Sequence, residues 1–324
     1  MKSPAVLCFY LTSAVGLAFA QQTAAEELIA AGHWKRARTI VESMIRQSPD
    51  DPFANFLLSQ VRAAFGDRSA PLALAEKAVA RDGRTAKYHR QLAEVLGVTA
   101  QHSNAFQQLF LARRFRKEID AALVLDPRDV QAQRDLLEYF LLAPSIVGGD
   151  RVKARATAER IAAIDPAEGF LAHARVAEFQ KQSAEAASFL RTAAGARPPS
   201  CRAYIALAQF YLASGHRDLA AAEAAALQAV KLEEGRVDAW SVLVAVYAER
   251  SAWSELDSAL ERASRAVPDD PAPYFRAAER LVANGRDPDR AERYLRRYLA
   301  EEPEGNEPPA AQATELLARL RQNR

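Results

Sequence analysis

The feature that most constrains this chain is a repeat. Prolines that close apolar helical stretches recur at Pro49, Pro127, Pro166, Pro198, Pro268 and Pro303, and Gly83 and Glu234 hold the same slot in two further units. The steps between these eight positions are 34, 44, 39, 32, 36, 34 and 35 residues. A period of this size means that each unit is one supersecondary element that cannot bury its apolar face alone, so neighbours must stack. At 324 residues the chain also exceeds what one hydrophobic core usually holds. Composition says which element repeats. There are 69 alanines and only 13 glycines, a balance that favours closely packed helices over a β or glycine-rich cofactor fold.

The grammar of one unit is plain in residues 237–270. Trp240, Leu243, Val244 and Tyr247 recur at i, i+3, i+4 and i+7, one apolar stripe on a first helix. After a break at Arg250-Ser251, Trp253, Leu256, Leu260 and Ala263 form the stripe of a second helix, and Pro268 ends the unit. These residues resemble the tetratricopeptide repeat (TPR), a helix–turn–helix unit. Trp240, Leu243, Tyr247, Ala263 and Pro268 match its pattern, while Val244, Ser251 and Leu256 are variations. Other units offer Gly32, Trp34, Ala37 and Pro49; Gly66 and Ala78; Tyr204, Leu207, Ala208, Tyr211, Gly215 and Ala229; and Tyr274, Ala278, Leu281, Gly285, Ala291 and Pro303. The resemblance implies an all-α, right-handed superhelical solenoid of about eight repeats over residues 21–307, closed by a capping helix in 308–324. Leu316, Leu317 and Leu320 would form the apolar face of that last helix.

Two units exceed the period. The step of 44 carries its extra length near residues 97–104, and the step of 39 carries it in 143–150. Both segments are expected to be loops. The second is similar to a loop of some exported bacterial TPR proteins, on Tyr139, Phe140, Ala143, Pro144, Ile146, Val147, Gly148, Gly149, Asp165 and Pro166. Its Ile146 and Val147 are expected to tuck into the seam between repeats, with Gly148-Gly149 allowing the turn.

The N-terminus reads as an address. Lys2 precedes an uncharged stretch from Ala5 to Ala20, and Ala18-Phe19-Ala20 puts small residues where a signal peptidase reads. Residues 1–20 are therefore expected to be a signal peptide cut between Ala20 and Gln21. The stretch is shorter than the roughly 20 apolar residues that span a bilayer. Removal would leave one cysteine, Cys201, and so no intrachain disulfide in a compartment that permits them. The expected location is periplasmic or secreted, in a Gram-negative bacterium.

Several chemistries are missing from the sequence. His33, His89, His102, His173 and His216 are widely spaced and do not form a zinc-ligand pattern. There is no G-x-S-x-G, phosphate-cradling loop or dinucleotide fingerprint. Lys plus Arg is 43 against 41 Asp plus Glu, a net charge of +2, too even for nucleic acid or an anionic membrane as the main partner. The basic run Arg113-Arg114-Phe115-Arg116-Lys117 is followed by Glu118 and Asp120 and reads as a solvated helix with local ion pairs.

What remains is surface. The family's pattern places the inner wall of the superhelix on Phe53, Phe56 and Gln60 early, Arg202 and Gln209 midway, and Asp238, Ser241, Glu249, Phe275 and Glu279 late. The late acids suit a basic or amphipathic protein segment. The sequence thus reads as a non-catalytic protein-binding scaffold that needs no cofactor and does not span the membrane once the signal is cut. The alternative is an accessory module binding a small molecule or glycan through the segments 97–104 and 143–150.

Overall fold

The computed structural model describes residues 21–306 and 308–322. The expected signal, residues 1–20 with Ala20, lies outside the described residues, and Gln21 is the first described helical residue. The fold is all-helical, a succession of helix pairs. These are α1 (residues 21–30) with α2 (Trp34–Gln47), α3 (Pro52–Ala64) with α4 (Ala70–Arg81), α5 (Ala86–Gln101) with α6 (Ala105–Leu125), and α7 (Val130–Leu142) with α8 (Arg151–Ile164). There follow α9 (Pro166–Phe179) with α10 (Ser183–Ala194), α11 (Cys201–Leu212) with α12 (Leu219–Leu232), α13 (Val237–Arg250) with α14 (Trp253–Ala266), and α15 (Ala272–Ala283) with α16 (Pro288–Leu299). A last helix, α17 (Ala310–Gln322), packs against α15 and α16 and buries Leu316 and Leu320.

Local chemistry starts and stops these helices. Asp51, Asn104, Asp129, Asp150, Asp165, Asp218 and Asp287 each accept a main-chain N–H of the first turn that follows. Asp165 does two jobs, ending α8 through its own N–H to Ile161 O and capping α9, whose first residue is Pro166. Within the pairs, the expected stripes are inside: Trp240, Leu243, Val244 and Tyr247 on α13, and Leu256, Leu260 and Ala263 on α14. The small residues Ala37, Ala78, Ala208, Ala229, Ala278 and Ala291 have no accessible surface, because two helices cross over each. Ser251 takes the left-handed conformation, φ 57°, at the turn where the family's glycine would stand.

Two sequence expectations are corrected. Residues 97–104 are mostly helix: α5 runs to Gln101 and only 102–104 connect it to α6. Gly97 serves close packing, not a turn, since a Cβ there would lie 3.4 Å from the Phe115 ring. In 143–150 a short 3-10 turn, η1 (Ser145–Val147), forms, and Ile146 points to solvent instead of into the seam. The turn is held from inside, with Tyr139 Oη donating to Val147 O and Asp150 N–H donating to Phe140 O at 2.9 Å.

The ends of the array touch. The segment after α16 folds back onto the first two pairs, where Asn306 N–H donates to Ala64 O at 2.6 Å. Lys35 Nζ donates to Asp269 O at 2.5 Å and to Glu302 O at 2.9 Å, and Arg38 grips both Glu302 carboxylate oxygens at 2.9 and 2.8 Å. Gly305, φ 81°, passes so near Ala64 that a Cβ would meet its carbonyl oxygen at 2.9 Å.

Candidate partner-binding groove

Two cavities run along the first helices of the pairs. One, of about 650 Å³, lies between α7, α9, α10 and α11. The other, of about 1430 Å³, is enclosed by the meeting of the ends and draws on the α1–α2 turn, α3, α5, α11, α13, α15 and Glu304. Gln209 lines both, so the two cavities are neighbours along the inner side of the array.

A ladder of charges runs beside the first cavity, with Arg134, Glu138, Arg175 and Arg202 lining it. Glu168 Oε2 accepts from Arg134 at 3.1 Å on one side and from Arg202 at 2.8 Å on the other, each partner 34 residues away. One step along, Arg175 forms a two-pronged pair with Glu138 at 2.7 and 2.8 Å. Next to this ladder, Arg90 bridges Glu94 and Asp129, each at 3.0 Å. Burial pushes the Glu94 carboxyl above its ordinary range despite Arg90 beside it. Asp135 accepts from Gln131 at 3.0 Å through Oδ1, while its buried Oδ2 has no hydrogen-bond partner. Burial, joined by the charge of Glu94, pushes Asp135 up to about 7. Where the ends meet, burial pushes Asp270 up to about 6. The groove thus offers cations and anions in alternation, with Leu171 and Phe210 as apolar floor.

Of the residues expected from the sequence, Arg202 and Gln209 line the first cavity, and Gln209, Asp238, Ser241 and Glu279 line the second. Phe53 and Gln60 are half-buried outside both, with Lys87 Nζ 4.4 Å over the Phe53 ring. Phe56, Glu249 and Phe275 are corrected to buried positions. Phe56 packs on Tyr88, ring centres 5.2 Å apart, and Phe275 turns toward α16 to pack on Tyr298 at 5.3 Å. Glu249 is taken up by Arg217 at 2.5 Å and by Asn284, which donates to it at 2.7 Å. With Glu279 paired to Arg276 at 3.2 Å and Asp238 facing Arg236 at 3.9 Å, the late groove is of mixed charge rather than acidic.

Sequence reasoning missed Glu94, Arg134, Asp135, Glu138, Glu168 and Arg175. Their one signal was spacing, since Arg134, Glu168 and Arg202 recur at intervals of 34 residues on the first helices α7, α9 and α11, although each stands at a different position within its helix.

Val98, Thr99 and Gln101 to Ser103 border the second cavity, whereas 143–150 border neither, so these two segments do not share a hollow. Cys201 is buried, its Sγ donates to Ala229 O at 3.4 Å, and burial pushes the thiol up to about 11, the setting of a packed and unreactive sulfur. Among the described residues no group of three or more His, Cys, Asp and Glu is placed to hold a metal, and no helix is long and apolar enough to cross a membrane.

These features define the class: an all-α repeat solenoid with a charged inner groove. Comparison with solved structures agrees on the fold. The chain resembles TTC0263, a thermophilic TPR protein in Thermus thermophilus, with a TM-score of 0.52 and 19% identity over 60% of this chain and 98% of that one. Two further matches are Pseudomonas aeruginosa PilF (TM-score 0.42, 15% identity, 68% of this chain and 93% of that one) and the APC/C hetero-tetramer Cut9–Hcn1 (TM-score 0.46, 15% identity, 91% of this chain and 54% of that one). No protein-family model matches the chain, and no curated protein does.

Proposed function

We propose that this protein is a non-catalytic scaffold, exported to the bacterial cell envelope as a periplasmic or secreted protein, that holds a segment of a partner protein along its inner groove. The observation that carries this reading is the groove itself: two neighbouring cavities along the first helices, preformed by repeat packing and bordered by alternating charges. A preformed surface lowers the ordering cost of binding. Glu138 and Arg175 offer charged contacts on the wall, and Leu171 and Phe210 offer apolar contact, a combination suited to an amphipathic segment. Export is supported by the uncharged stretch ending Ala18-Phe19-Ala20, and the exported bacterial type by the Ala143-Pro144 to Gly148-Gly149 likeness.

The test is a crosslinking pull-down of tagged protein from its native envelope, repeated with Arg202→Glu, Asp238→Lys and Glu279→Lys combined. Loss of the partner from the variant, with melting unchanged, supports the groove. Equal recovery of every partner by both proteins overturns it.

A further inference from the structure

The two pairs that exceed the period share a second peculiarity. Phe106 is 83% exposed and Phe110 is 60% exposed, one turn apart on the first turns of α6. Leu142 and Val152, at 62% and 76%, flank η1, which carries Ile146 at 75% and touches α6. Both groups sit at the turn between the first and second helix of consecutive pairs, so they occupy one edge of the solenoid. All five lie outside the two groove cavities.

The charge left unpaired on this edge is positive. In the run Arg113 to Lys117, Arg114 is held by Glu76 at 2.6 Å and Arg116 by Asp120 at 2.8 Å. Arg113 and Lys117 are exposed and, among the described residues, make no ion pair. They continue the Phe106–Phe110 face along α6, about 5 and 10 Å behind Phe110 at the helical rise. Arg151 and Lys153 are exposed beside Val152, with Lys153 Nζ 3.5 Å from Asp150. The nearby acids are engaged: Asp120 by Arg116, Glu118 by His89, and Asp150 by the N–H groups of Val152 and Lys153 and by Lys153 Nζ. The even net charge of the whole chain conceals this, because the balancing acids lie elsewhere.

We propose that this edge docks, tip first, on an anionic phospholipid surface. Phe106, Phe110, Ile146 and Val152 would enter the acyl boundary while Arg113, Lys117 and Arg151 reach the headgroup phosphates. Peripheral binding of this kind combines buried apolar area with attraction to anionic lipid. Side chains that protrude singly from a helix tip and a 3-10 turn need a matching pocket on any protein partner. A bilayer interface receives them without one.

The test is co-sedimentation of the chain from Gln21 onward, which holds every helix described, with vesicles of phosphatidylcholine alone or mixed with phosphatidylglycerol. Binding to the mixed vesicles is expected to exceed that to neutral ones about tenfold or more. Phe106→Ser, Phe110→Ser and Ile146→Ser combined should abolish it, and Arg113→Glu with Lys117→Glu should remove the preference for anionic lipid. Val124→Ser, an equally exposed change at the far end of α6, should leave binding unaltered. Because the altered side chains are exposed, helical signal and melting serve as folding controls. No binding to mixed vesicles, or binding insensitive to the triple substitution, overturns the proposal. A protein crosslinked through this edge without vesicle binding overturns it equally and gives the edge to that protein.

Discussion

The main-chain N–H of Lys35 donates to Glu304 Oε1 at 2.9 Å across 269 residues of sequence, and Lys35 Nζ lies 3.5 Å from the other carboxylate oxygen. This contact joins the first pair of the solenoid to the segment after the last. Glu304 is buried there, so removing its partner leaves a carboxylate out of water.

Reversal of Lys35 and Arg38 to Glu should therefore separate the ends. The expected cost is about 3 kcal/mol, from an uncompensated buried acid and the lost two-pronged pair to Glu302. Small-angle scattering should show a larger radius and calorimetry a lower melting temperature. An unchanged radius would mean that the ends are held by other contacts.

Asp135 predicts a pH dependence. Its carboxyl keeps its proton in the fold up to about 7, above the usual 3.8 that applies to the unfolded chain. Below the unfolded value both states hold the proton and the group has no effect. As pH climbs between the two values the unfolded chain gains ionisation that the fold resists, so stability falls, and above about 7 the loss is complete. Asp135→Asn should thus melt higher than the parent at pH 8, by the equivalent of ~1 kcal/mol or more, and close to it at pH 4. A variant less stable at pH 8 would show Asp135 to be ionised and well served in the fold.

Ala208 has no accessible surface at the crossing of α11 with its neighbours. Ala208→Trp should cost about 3 kcal/mol through overpacking, read by chemical denaturation. A neutral result would show that the crossing is looser than the repeat register requires.

Gly149→Ala tests the turn after α7. A Cβ at Gly149 would fall 1.8 Å from the Ala143 carbonyl oxygen, a main-chain atom that cannot step aside. The expected loss is about 2 kcal/mol or more, with faster amide exchange at Asp150, whose N–H donates to Phe140 O. Unchanged exchange there would contradict the turn as described.

Much of the fold was legible because repeat packing is local. The stripe Trp240, Leu243, Val244 and Tyr247 and the small residues such as Ala208 and Ala291 state which faces meet, within one unit or between neighbours. The segment 97–104 misled because extra length in a unit looks, in sequence, like a loop, whereas here it lengthens α5 and α6. Phe275 and Glu249 misled for a related reason: a position within the unit fixes an average direction, while Tyr298 and Arg217 decide the actual one. The meeting of Lys35 with Glu304 could not be read at all. It depends on a small rotation accumulated over eight pairs, and no local pattern encodes that sum.

The junction at Lys35 and Glu304 also changes how the molecule should come apart. An open array melts like a zipper from its free termini, since terminal units have one neighbour instead of two. Here the segment after the last pair ties it back to the first two, so fraying must begin by breaking the junction, and loss of any interior pair frees two new ends at once. Removal of residues 236–324 should accordingly leave a helical fragment that melts lower and over a broader range than the whole. The intact protein should lose its helices in one sharp step, as an ordinary globular domain does.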